Sequence, residues 1–101
     1  MNRDLSAYFG QIQSALKRAK LAEPVLVVDR RRLNANIKQL VSMLPPGMAF
    51  RIVAKSLPCA PLISHIAART GTDRLMSFNA AMALQMLDLM PKADQRMGKA
   101  L

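Results

Sequence analysis

Tryptophan is missing from this sequence, and cysteine and histidine occur once each, as Cys59 and His65. A single cysteine excludes an internal disulfide, and one thiol with one imidazole is too few for an ordinary zinc site. Aromatic side chains are limited to one Tyr and three Phe, which leaves little for stacking on nucleic-acid bases. Acidic residues are scarce too: six Asp and Glu stand against fifteen Lys and Arg, a formal net charge of +9. Such an excess suits an anionic partner, but the cations come in small groups: Lys17, Arg18 and Lys20; Arg30 to Arg32; Arg69 and Arg74; Lys92, Arg96 and Lys99. Scattered groups of this kind read more simply as solvated faces than as a nucleic-acid tract. No apolar run approaches membrane-spanning length, and the opening "MNRDLSAYFG" lacks the apolar core of a secretory signal. The expectation is a cytoplasmic protein that binds neither membrane nor nucleic acid.

What is present is an ordinary globular composition, 51% hydrophobic and 21% charged over 101 residues, enough for one domain or part of one. Residues 4 to 20 place Leu5, Tyr8, Phe9, Ile12 and Leu16 at helical spacing, so residues 1–22 read as an amino-terminal amphipathic helix. Pro24 closes it, and "VLVV" (25 to 28) reads as a short, fully apolar strand. Asp29 is a helix cap for a stripe of Leu33, Ile37, Leu40, Val41 and Leu44, which "PPG" at 45 to 47 stops. "AFRIVAK" (49 to 55) is a second strand. Pro58 or Pro61 opens the next helix, carrying Leu62, Ile63, Ile66 and Ala67, and Gly71 ends it. "DRLMSF" (73 to 78) is a third strand, and Asn79 caps a last helix with Met82, Ala83, Met86, Leu87 and Met90 in one stripe.

Strand and helix therefore alternate at nearly even intervals, which is α/β architecture with parallel strands. Sites in this class form at the carboxyl ends of the strands. Lys55 stands at such an end, after Ile52, Val53 and Ala54. Two readings of it are open: a strand-end lysine reaching for water, or an amine kept for attack on an aldehyde, since partial removal from water helps an amine stay neutral and nucleophilic.

The segment "PVLVVDRRRLNANIKQLVSMLPPGMAFRIVAKSLP" resembles the opening of the fold-type III pyridoxal-phosphate enzymes, the alanine racemase-like group. The matching pieces are Pro24, Val27, Asp29, Leu33, Asn36 and Ile37, the loop from Pro45 to Gly47, and Lys55. Within that group the sequence looks most like the D-threonine aldolase and D-serine dehydratase-like branch. The resemblance implies that residues 23–101 form the first strand–helix units of a (β/α)8 TIM-type barrel, with Lys55 as both the cofactor-binding and the catalytic residue. It also implies pyridoxal phosphate as cofactor, a small amino acid or hydroxy amino acid as substrate, lyase or isomerase chemistry, and a homodimer. The loop Ser56-Leu57-Pro58-Cys59 differs from the Ala-Tyr-Gly-His-like loop of the racemases and the Thr-His-Lys of the aldolases, so the resemblance does not name the substrate.

A full barrel takes about 250 residues, so the chain reads as the amino-terminal piece of a longer enzyme and is expected to be inactive alone. Groups that hold the phosphate, the pyridine nitrogen or a divalent metal are expected beyond Leu101. Two alternatives stand beside this reading: a non-catalytic pyridoxal-phosphate carrier with the same barrel, and a small basic nucleic-acid-binding module. The other conspicuous residues read plainly. Cys59 is a small residue at a helix start, His65 a packed or surface histidine, and Met82, Met86 and Met90 core filling. Arg30 to Arg32 form a solvated first turn, although cations are unfavourable at that end of a helix.

Overall fold

The structure is a computed structural model that describes residues 2–98. Lys99 and the end of "ADQRMGKAL" lie outside the described residues. Its elements run α1 (Asn2–Arg18), α2 (Arg30–Met43), β1 (Ile52–Val53), α3 (Ala60–Thr70), β2 (Arg74–Ser77), α4 (Ala80–Leu89) and β3 (Asp94–Met97). Four helices and three strands make a mixed α/β fold, as the alternating pattern predicts.

Local signals set the helix limits. Asp29 accepts hydrogen bonds from the backbone N–H groups of Arg31 and Arg32 at 2.9 and 3.2 Å, two donors that the first turn of α2 otherwise leaves without partners. Asn79 does the same for Met82 N–H at 2.8 Å and starts α4. Of the two prolines at the head of α3, Pro61 is the one inside the first turn, where its missing N–H costs nothing. Gly71 ends α3 in the left-handed region, at φ 77°, which glycine occupies without the clash of a Cβ.

The three strands form one parallel sheet in the order β1-β2-β3, with Ile52 opposite Leu75 and Leu75 opposite Gln95. Helices α3 and α4 cover one face. Ala60 and Ile63 from α3, and Met82 and Met86 from α4, pack on Ala54 and Leu75 of the strands, and Leu75 and Met86 are fully buried. Helix α2 adds Ile37 and joins α3 through a 2.7 Å hydrogen bond between Asn34 Oδ1 and His65 Nε2. His65 is thus a packed histidine whose Nε2 donates, since the Asn34 oxygen only accepts.

The strand pattern is corrected in two places. Residues 25–28 are extended but belong to no sheet among the described residues. Leu26 is 83% exposed, and Val25, Val27 and Val28 are each about half exposed. An apolar run states a need for burial, whereas a strand forms only where a partner offers its backbone. The sequence pattern leaves Asp94–Met97 unassigned, and "DQRM" holds no β-branched residue, yet it forms β3. It pairs with β2 along its whole length, because β2 has a free edge there and Gln95 reaches back to both Ser77 and Ala83 O, at 2.8 and 3.0 Å.

The radius of gyration is 16.5 Å, above the roughly 13 Å of a compact chain of this size. The excess agrees with the half-covered helices: Leu40 and Val41 on α2 and Phe9 on α1 remain 42%, 40% and 58% exposed.

Candidate functional site at the strand ends

Alternation along the strands gives the sheet two unlike faces. Leu75 and Ser77 are buried toward the helices, while Arg74 is exposed and Met76 half-buried on the other side. By the same alternation Arg51, Val53 and Lys55 share that second face, as do Asp94 and Arg96 on β3. No helix among the described residues packs over it, and Val53 is 54% exposed.

The face is layered by the register. At the amino-terminal end of the strands, Arg51 crosses β2 to bind Asp94. In the middle lie Val53, Met76 and Arg96. Extending the register to the carboxyl ends puts Lys55, Phe78 and Gly98 in one row. The strand expected over 49–55 is paired only at Ile52–Val53, and Lys55 follows two residues beyond it, exposed and directly after buried Ala54, whose N–H bonds Met76 O at 2.9 Å. Its Nζ lies 5.3 Å from the centre of the Phe78 ring, inside the range at which a cation is drawn to a ring face. Phe78 in turn lies against Gly98, where a Cβ would collide with the ring atoms Cε1 and Cζ. A side chain at position 98 would have to push the ring aside.

Charge on this face is strongly one-sided. Arg51, Lys55, Arg74 and Arg96 accompany one acid, Asp94. The Asp94 carboxyl is held below its usual range, first by the hydrogen bond from Arg51 and further by the charges of Arg51, Arg74 and Arg96. An open surface of this kind raises the local concentration of small anions.

The remaining sequence candidates fall elsewhere. Cys59 is a free, exposed thiol at the N-cap of α3 and makes no capping hydrogen bond. Arg30, Arg31 and Arg32 line a cleft of about 730 Å³ with Tyr8, Gln11, Asp29 and Asn34, between α1 and the start of α2. Its chemistry is largely internal: Arg32 stacks on Tyr8 at 3.9 Å from the ring centre and sits 3.9 Å from Asp29. Hydrogen bonding to the Asp29 carboxylate raises the Tyr8 phenol. The Arg32 backbone N–H and then the Tyr8 hydroxyl lower Asp29. These contacts explain Arg32, which anchors α1 to α2. Among the described residues no group of three or more His, Cys, Asp and Glu side chains is placed to hold a metal ion, and no helix is long and apolar enough to cross a membrane.

Phe78, Arg96 and Gly98 are the site residues that sequence reasoning missed. The available signal was position: Phe78 follows the end of β2, the strand beside β1, and Arg96 and Gly98 stand at or just past the end of β3 beyond it. No protein-family model, curated protein or solved structure matches the chain.

Proposed function

We propose that this chain supplies the reacting lysine of a pyridoxal-phosphate-dependent lyase or isomerase acting on a small amino acid or hydroxy amino acid, its sheet being the first part of a (β/α)8 barrel. One observation carries the reading: Lys55 stands just past the carboxyl end of β1 in a parallel sheet built in consecutive order. An open doubly wound sheet reverses its strand order and carries helices on both faces. The described strands run in consecutive order with α3 and α4 on the same face, an arrangement that a barrel shares with either half of a doubly wound sheet. The uncovered face carries Val53, Met76 and Arg96 at its centre, and in a barrel it would face the layered interior.

The residues present fit the cofactor in two respects. Lys55 offers an exposed primary amine that can bond covalently to an aldehyde carbon. The cations of the same face, Arg96 and Arg74 among them, favour ligands bearing phosphate or carboxylate. When bound, the cofactor would take up the electron pair of the bond broken in the substrate. Lys55 would hold the cofactor and, as the free amine, would take or return a proton at the substrate α-carbon. Ala54 and the β1–β2 ladder hold the backbone that carries it.

The test is direct. The protein is mixed with pyridoxal phosphate, reduced with borohydride and digested, and the modified peptide is mapped. Modification concentrated at Lys55, and lost in Lys55→Arg, supports the assignment. Modification spread over Lys17, Lys20, Lys38 and Lys92 removes it.

A further inference from the structure

Lys55 carries its amine on a long, exposed side chain, and an unheld lysine of that kind samples many rotamers. A reacting amine has to be aimed. We infer that Phe78 is the positioning residue for the Lys55 amine, and that Gly98 fixes the Phe78 ring in turn. The inference deepens the proposed function and rests on its reading of Lys55 as the reacting group.

The backbone of Phe78 is anchored on both sides. Ser77 before it is fully buried and donates to Gln95 Oε1 at 2.8 Å. Asn79 after it caps α4. Gly98 N–H bonds Ser77 O at 2.8 Å and so holds the chain after β3 tightly beside the end of β2. The ring fills the space that a side chain at 98 would take, with Met76 Sδ bordering the same space. A half-buried ring with a fixed backbone thus presents its face to Lys55 Nζ at 5.3 Å. Attraction between the ammonium and the ring selects, from the many lysine rotamers, those that lean across the strand ends toward β2. Among the described residues Lys55 is the one lysine placed over a ring.

The placement is tested without any cofactor. Reductive methylation of the full chain with ¹³C-formaldehyde gives each lysine an N-methyl resonance, and Lys55→Arg assigns the one from Lys55. The ring current of Phe78 should displace that resonance upfield of those from Lys17, Lys20, Lys38 and Lys92. Phe78→Leu should return it to the common position, and Phe78→Tyr should keep it displaced. Gly98→Ala, which moves the ring without deleting it, should alter the displacement and covers the case in which Phe78→Leu folds poorly. An undisplaced Lys55 signal in the unaltered chain, or one indifferent to Phe78→Leu, overturns the inference. In the cofactor-labelling experiment, selectivity for Lys55 over Lys38 should fall several-fold in Phe78→Leu and recover in Phe78→Tyr; equal selectivity in both overturns the positioning role. Ring-current displacement without selective labelling in the unaltered chain would leave Phe78 as the positioner and remove the cofactor reading alone.

Discussion

Arg51 and Asp94, on the first and third strand segments, are joined across the strand between them. The two terminal guanidinium nitrogens of Arg51 donate to Asp94 Oδ1 and Oδ2 at 3.3 and 3.2 Å, and one of them also donates to Leu75 O and Asp94 O at 2.9 and 2.7 Å. The Arg51 side chain is only 15% exposed, and its bond to Leu75 O is part-buried, whereas the one to Asp94 O is open to water. Arg51→Ala should cost about 1–3 kcal/mol from the lost charge-assisted hydrogen bonds to those carbonyls. Urea unfolding measures it, and an unchanged midpoint would refute the clamp.

The same pair sets an acid limit. The Asp94 carboxyl is lowered, first by the Arg51 hydrogen bond, and the Asp29 carboxyl is lowered, first by the Arg32 N–H. A carboxyl whose folded pKa lies below its unfolded value stabilises fully above the unfolded value, near 3.9 for Asp, and loses that contribution as pH falls through the folded value. Stability should therefore be insensitive to these groups at neutral pH and decline below about pH 4. Asp94→Asn should flatten the acid limb of a stability-against-pH curve and leave its slope near neutrality unchanged.

Leu75 and Met86 are the fully buried hydrophobic side chains on which β2 and α4 meet. Leu75→Ala and Met86→Ala should each cost about 2–5 kcal/mol, transfer and cavity effects combined. Leu84→Ala, on the solvent side of α4 at 64% exposure, should stay within about 0.5 kcal/mol. Denaturant midpoints that rank Leu84→Ala with the other two would mean that the core is misplaced.

Residues 25–28 leave four apolar side chains and an extended backbone without a sheet partner among the described residues. Such a segment is a template for association. Sedimentation of the chain should show concentration-dependent self-association that Leu26→Lys with Val28→Lys reduces, with no loss of helix content by circular dichroism. A monomer at all concentrations contradicts this.

Much of the fold is legible locally. Asp29, Asn79, Pro61 and Gly71 mark helix ends through backbone chemistry that needs only their neighbours, and Met82 and Met86 follow a helical period into the core. Lys55 is legible for the same reason, as the end of an apolar run. Partner choice is different. Nothing in "VLVV" says that it stays unpaired, and nothing in "DQRM" says that β2 will take it as a neighbour. The row of Lys55, Phe78 and Gly98 depends on the register between strands far apart in sequence, so its members look unrelated until the sheet aligns them.

The consecutive strand order also has a kinetic side. Each strand pairs with the next one along the chain, through a single intervening helix, so no loop longer than one strand–helix unit must close before pairing begins. Closure of short loops costs little entropy, and low contact order goes with rapid folding. During synthesis β1 and α3 can dock when β2 emerges, and α4 when β3 follows. The row at the strand ends is then completed last, when Gly98 closes over the ring of Phe78.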